Sequence, residues 1–283
     1  MLGSSETGSI DPADYEAARR DLGLDKPFMV RYVDYISKAV KGDLGRSDIT
    51  NQRIFPTVME RMPATLQLTL CSLAIALLIA IPLGVLSAVK QGSIWDNIAT
   101  FLATISVSLP SFWFGMVLII LFALKLRWLP SFGIGSMEKG IGNVLRHLTL
   151  PAIALGTSLA AMLTRMTRSS MVEVLSHDYV TVARAKGLKE KTVIYVHALK
   201  NALIPVITVL GSQFGSLLGG AVVTDTIFAW PGVGRLAVNA ISRRDFPMIQ
   251  GNTLLICTGF ILVNLIVDVL YGVLDPRISF SKK

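Results

Sequence analysis

Three histidines and two cysteines are the side chains in this 283-residue chain best suited to metal or nucleophilic chemistry. Their spacing supports neither. A metal centre needs several ligands converging at short, patterned intervals. His147, His177 and His197 are scattered, Cys71 and Cys257 each lie inside an apolar run, and HExxH and CxxC patterns are absent. Phosphate binding by a P-loop requires GxxxxGK[ST], which does not occur. Gly232-Val233-Gly234 follows no strand pattern and reads as a tight turn. The expectation is a chain without catalytic residues, cofactor or metal. The stretch Tyr179–Asn201, YVTVARAKGLKEKTVIYVHALKN, suggests a different role. Ala183, Ala185 and Gly187 are small enough to let another surface approach. Arg184, Lys186, Lys189 and Lys191 supply charge for complementarity. The spacing allows a helix over 169–186, a break at Gly187 and a second helix over 189–201. This is a docking element for another protein. A DNA-reading helix-turn-helix is set aside, because the stretch is tethered tightly between two membrane spans.

Those spans are what must hold the docking element in place. The chain is 52% apolar and 16% charged, with mean hydropathy +0.58. Soluble domains carry about 25% charged residues. The charges are clustered, which leaves uncharged windows near the ~20 residues that cross a bilayer. Five spans are expected: 63–89, 97–124, 147–164, 201–224 and 246–267. Pro82 falls inside the first, and Ser106, Ser108, Pro110 and Ser111 cluster in the second, where a kink faces a polar path or is purely structural. Trp128 and Phe132 sit where interfacial anchors are found. The net charge of +8 lies in short loops, which fits cytosolic loop bias and anionic lipid better than nucleic acid.

Residues 1–62 differ from the rest: they are rich in both acids and bases and have no long apolar run. Asp11-Pro12 reads as a helix start. A second helix fits 28–41, with Met29, Tyr32, Val33, Ile36 and Val40 on one face. The segment is expected to form an extracytoplasmic amphipathic cap lying against the membrane domain. The insert 165–200 carries seven basic and three acidic residues, which argues for the cytosolic side. The N-terminal segment then lies outside, yet no signal peptide precedes it; either the orientation is reversed or an apolar helix upstream of Met1 is missing from this chain.

The fourth span is the expected conduit wall. Gly211, Gly215 and Gly219 recur every fourth residue, a small-xxx-small stripe that allows close contact with another helix, of this chain or of a partner subunit, and packing alone explains it about as well as a pathway. Of these, contact with a partner permease is the one expected. Ser212, Gln213 and Ser216 lie beside it and are expected near the path.

Taken together, these residues resemble a known family. Thr181-Val182-Ala183 followed by Gly187 resembles the Glu-Ala-Ala…Gly loop of bacterial ABC importer permeases. ARAKGL followed by HALKNALIP is similar to the dipeptide, oligopeptide and nickel permeases within that group. DLGLDKP, GDLGRS, RMPATLQLTL, TDTIFAWPGVGRLAVNAISRRDFPMIQG and LDPRI match in the same order over nearly the whole chain. The pattern departs at Thr181, a Glu in the family, and at His197-Ala198-Leu199-Lys200, where Ile-x-Leu-Pro is usual. The resemblance implies an all-α, polytopic helical bundle of the type I ABC importer permease kind in the cytoplasmic (inner) membrane of a bacterium or archaeon. It implies transport of peptides, nickel or a similar solute by alternating access, and a first span missing from this chain. It implies two ATPase subunits, a second, homologous permease in a heterodimer, and an extracytoplasmic substrate-binding protein. By position, Tyr179, Thr181, Ala183, Arg184, Ala185, Lys186, Gly187, Leu188, His197 and Asn201 form the ATPase-coupling loop. The alternative is an ATPase-independent carrier or channel; such proteins place ionisable residues inside their spans, and the five expected spans contain none.

Overall fold

The computed structural model describes residues 25–274. The helix expected from Asp11-Pro12 and the LDPRI motif beyond Leu274 lie outside that range. Ten helices organise the described residues: α1 (Phe28–Val40), α2 (Ile54–Val89), α3 (Ile94–Ser108), α4 (Ser111–Leu118), α5 (Ile141–Leu175), α6 (Asp178–Ala185), α7 (Leu199–Gly220), α8 (Val222–Ile227), α9 (Val233–Ser242) and α10 (Phe246–Leu274). A π-turn at Ile119–Lys125 extends α4. A helical turn at Glu190–Thr192 and a π-turn at Val193–Ala198 lead into α7. Four stretches are long and apolar enough to cross a membrane: Ile54–Val89, Ile141–Leu175, Glu190–Leu218 and Phe246–Val267.

The core is the crossing of α2 and α5, and its cause is visible in the side chains. Ser72, Ala76, Ala80, Gly84 and Ala88 recur every fourth residue on α2, as do Ala152, Gly156, Ala160 and Thr164 on α5. Small side chains on such a stripe let two helix backbones meet. A Cβ at Gly156 would stand 2.8 Å from the Ser72 carbonyl oxygen, and one at Gly84 would stand 2.6 Å from Thr167 Cβ. Larger residues close the gap at either side: Leu159, Leu163 and Val206 around Ala76 and Ala80, and Met171 with Val85 further along.

The helix limits differ from the expected spans for local reasons. The helix expected to cross at 63–89 begins at Ile54, because Ile54 and Val58 are fully buried and carry the helical pattern back through Glu60 and Arg61. Pro63 and Pro82 are both accommodated inside it. The 97–124 span is broken, with Ile94–Ser108 and Ser111–Lys125 meeting at 100°. Pro110 supplies no amide hydrogen and holds Leu109 extended (φ −92°, ψ 126°), as a residue before proline must be. The 147–164 span is the middle of α5, which continues to Leu175, so Arg165–Leu175 belongs to the membrane rod rather than to a loop.

Little of α1 lies against the bundle. α1 forms, but Phe28, Met29, Tyr32, Val33 and Val40 are all exposed and only Ala39 joins a core cluster. The segment that does bind the bundle is the turn after α1. Leu44 packs with Ile54, Val58, Val233 and Met248. Ser47 Oγ donates to Asp245, whose carboxylate also accepts from the Asp48 and Met248 amides at 3.3 Å.

Candidate functional site

Two regions are left open by this packing, and each has its own chemistry. The first is a furrow. α5 is covered by α2 on one side and flanked by α3 and α7, which leaves a strip through Met162, Arg165, Ser169 and Glu173 exposed. Asn97, Thr100, Thr104 and Ser108 form a polar stripe on α3 and are all exposed. Their spacing of three or four residues keeps them on one face. On the α7 side, Ser212 and Ser216 are exposed, and Gln213 Nε2 reaches Met162 Sδ at 3.5 Å. Polar walls on both sides of an open strip suit water and solute better than lipid tails.

A clasp closes the end of the furrow nearest the α2–α3 turn. Asp96 is 4% exposed. Arg168 Nε and Nη2 donate to its two oxygens at 2.7 and 2.8 Å, the Gly92 amide donates at 2.9 Å, and Ser87 Oγ donates as well. Such a fork is among the stronger polar contacts available to a side chain. It ties the α2–α3 turn to α5 and leaves the carboxylate saturated. Sequence reading missed it by placing Asp96 in a loop and Arg168 in the polar insert. Asp96, Arg165 and Arg168 therefore stand within helices that had been read as free of charge. The cleft beside the clasp, lined by Thr100, Phe101, Thr104, Arg165 and Arg168, holds 570 Å³.

The expected glycine stripe has a different role from the one the spacing suggested. A Cβ at Gly211 would lie 2.0 Å from Val267 Cγ1, and one at Gly215 would lie 2.7 Å from Phe260 Cδ2. Both glycines thus seat α10 of the same chain rather than a partner permease. α10 needs a flat seat because its bulky side chains face α7. Gly219 lies on the same helix.

The second open region is the insert. A helix over 169–186 was expected; instead α5 ends at Leu175, His177 turns the chain in extended conformation, and α6 starts afresh at Asp178. Val180 and Ala183 are buried against Val193 and Leu175. Ala183 is therefore a foot planted on its own chain, not a surface left free for a partner. Thr181, Ala185, Lys186, Gly187 and Leu188 form the exposed side. Gly187 has φ +76° with nothing within 4 Å of where a Cβ would be, so the glycine serves backbone conformation. Arg184 donates to Glu190 at 2.8 and 3.3 Å, and the Glu190 carboxylate holds the Arg184 guanidinium above its ordinary pKa. Asn201 Nδ2 donates to Tyr179 Oη at 2.8 Å and to the His197 carbonyl at 3.3 Å. That set brings together Tyr179, His197 and Asn201, which lie 22 positions apart at the extremes. Val182, Tyr195 and Val196 are 51%, 57% and 59% exposed. These apolar side chains were not singled out from sequence, although their place beside the small residues signals a docking surface.

The loop between α7 and α10 is closed instead. Trp230 is fully buried and its Nε1 donates to the Ala64 carbonyl at 2.8 Å. The Val233 amide donates to Thr65 Oγ1 at 2.9 Å. Gly232 starts α9, and a Cβ there would meet Asp225 Oδ2 at 2.4 Å. Burial pushes the Asp225 carboxyl up to about 7, against the pull of the Arg235 and Gly234 amides.

Comparison with known proteins decides the family. Residues 80–280 match the binding-protein-dependent transport system inner membrane component family. The chain belongs to that family. The match covers α3 to α10 and the last turns of α2, so it includes the furrow and the insert. The chain is 44% identical to the di/tripeptide transport system permease protein DppB of Pseudomonas aeruginosa, over 96% of this chain and 87% of that protein. It is 44% identical to the dipeptide transport system permease protein DppB of Escherichia coli K12, over 100% and 90%. The glutathione transport system permease protein GsiC of Pectobacterium atrosepticum is 41% identical, over 96% and 86%. In fold, this permease is similar to a chain of the inward-facing MetNI methionine ABC transporter, with TM-score 0.62 at 16% identity, covering 77% of this chain and 96% of that one. It is thus an all-α ABC importer permease of the peptide group, an inner-membrane transport component.

Proposed function

We propose that this permease forms one half of the translocation path of an ATP-driven peptide importer. The observation that carries the reading is the furrow: an open strip of α5 between the polar stripe of α3 and the polar side of α7, running toward an exposed insert. A homologous permease completes the path. One of two ATPases docks on this insert through Ala185–Leu188 and the exposed Val182 and Tyr195, and the second docks on the homologous permease. A binding protein delivers the solute on the other side. Relatives named for dipeptide, di/tripeptide and glutathione transport support a short peptide as solute.

The mechanism is alternating access. ATP shifts the path only if its closed ATPase pair favours one arrangement of the docked inserts. The insert is built to pass that motion on: α6 is planted by Val180 and Ala183, Tyr179 is bonded to Asn201 at the foot of α7, and the Asp96–Arg168 clasp holds α3 to α5. An ATPase-independent carrier would need a titrating group in its path; the buried Asp96 carboxylate has all its bonds filled, and the exposed Glu173 lies two residues from the end of α5, beside the insert.

The test is uptake into vesicles holding the full complex. Peptide accumulation requires ATP inside the ATPase compartment and ceases when the ATPases are omitted. Accumulation that persists without them refutes the reading.

A further inference from the structure

We infer that Arg165 binds the terminal carboxylate of the transported peptide, an inference that rests on the furrow being a peptide path. Two arginines stand one turn apart on α5, and their situations differ. Arg168 is neutralised by Asp96. Arg165 is exposed and has no ion-pair partner among the described residues. It lies on the open strip, ten residues before the end of α5, which is about 15 Å along the helix. An exposed guanidinium on this strip takes water or an anion as its partner. The furrow carries hydroxyls and amides on both walls beside apolar side chains such as Phe101, a mixed lining that suits a small zwitterion with an apolar side chain.

The surroundings match the main-chain ends of a peptide. The planar fork of arginine fits a carboxylate in two-point geometry. Thr104 Oγ1 donates its hydrogen to the Thr100 carbonyl at 2.8 Å, and Ser108 Oγ donates to the Thr104 carbonyl at 3.0 Å. With their hydrogens committed, these hydroxyls face the furrow as acceptors, suited to peptide N–H groups. Phe101, 64% exposed, adds an apolar surface at the same level. A single cation with a row of acceptors reads the features all peptides share and not their side chains. Arg168 is the poorer candidate, because its Nε and Nη2 are both committed to Asp96, which already neutralises its charge.

The test uses the complete reconstituted transporter and two substrates, a tripeptide with a free C-terminus and the same tripeptide as its C-terminal amide. Arg165→Gln lowers import of the free acid by roughly tenfold or more, the range for losing a hydrogen-bonded charge partner. Import of the amide changes by less than about twofold, since it lacks the anion. Arg165→Lys, which keeps charge but not the fork, restores part of the free-acid rate. Any preference of the binding protein cancels in the wild-type-to-variant ratio. Equal loss for acid and amide overturns the inference and points to a lipid or subunit contact, as does loss of co-purifying subunits in Arg165→Gln. Unchanged acid import overturns it too. Failure of the wild type to import either peptide sinks the peptide-path reading itself, and it is read without any variant.

Discussion

The insert between α5 and α7 and the loop between α7 and α10 are alike in sequence and opposite in construction. Both are polar interruptions between apolar runs, and both contain short helices. In the second, Trp230 is fully buried and bonded to Ala64, Val233 is bonded to Thr65, and Asp245 binds Ser47 of the N-terminal turn. In the first, Val180, Ala183 and Val193 make a small foot, while Tyr195, Val196 and Val182 remain exposed. One loop is completed by its own chain. The other keeps apolar surface uncovered, which is what a docking surface needs.

Changes that break this contrast should separate stability from assembly. The largest stability effect is expected for Trp230→Ala, about 3–5 kcal/mol as for large aromatic truncations in cores, read as a lower unfolding temperature in detergent. Tyr195→Ala should leave that temperature nearly unchanged and reduce co-purification of the ATPases. Equal unfolding shifts for the two would erase the distinction.

Asp225 sharpens the comparison through pH. Its folded pKa is raised from 3.8 to about 7, so the folded state binds the proton more tightly than the unfolded chain. Stability from this group is full below pH 3.8 and is lost as pH rises through about 7, up to about 4 kcal/mol at most. Protection of the α8 and α9 amides, relative to their intrinsic exchange rate at each pH, should be greater at pH 5 than at pH 8, and Asp225→Asn should flatten the difference. The insert should show no such step; a step there, or an unaltered one in the variant, contradicts the assignment.

A smaller effect is expected at Gly187. Alanine must adopt φ +76° there, at a cost of about 1 kcal/mol, with room for the methyl group. Gly187→Trp adds bulk on the exposed side and should abolish ATPase co-purification while the permease still folds. Retained co-purification would place the docking surface elsewhere. The smallest effect belongs to Arg184→Ala: its pair with Glu190 is exposed on both sides, such pairs contribute little, and no measurable change in unfolding temperature is expected.

Much of the bundle was legible in the residues. Uncharged windows of bilayer length marked the membrane rods, Gly187 marked the end of α6, and periodicity marked α1. Proline 110 placed the break in the second rod without telling its angle. The α2–α5 stripes were equally present in the sequence, yet the glycine stripe of α7 drew attention instead. A repeat of small residues announces a close contact and says nothing about which helix makes it. The same limit applied to Ala183, whose small size fits burial on its own chain as well as approach by another.

By itself, then, the sequence determined what is local: hydropathy, turn residues, the absence of catalytic and nucleotide motifs, and the basic insert. Only the tertiary structure decided which faces are shared. It paired Asp96 with Arg168 across 72 positions, seated α10 on Gly211 and Gly215, and left Arg165 without an ion-pair partner among the described residues. The physical reason is that contact depends on direction as well as spacing. A helix presents every face with the same periodicity, and packing alone settles which one stays open.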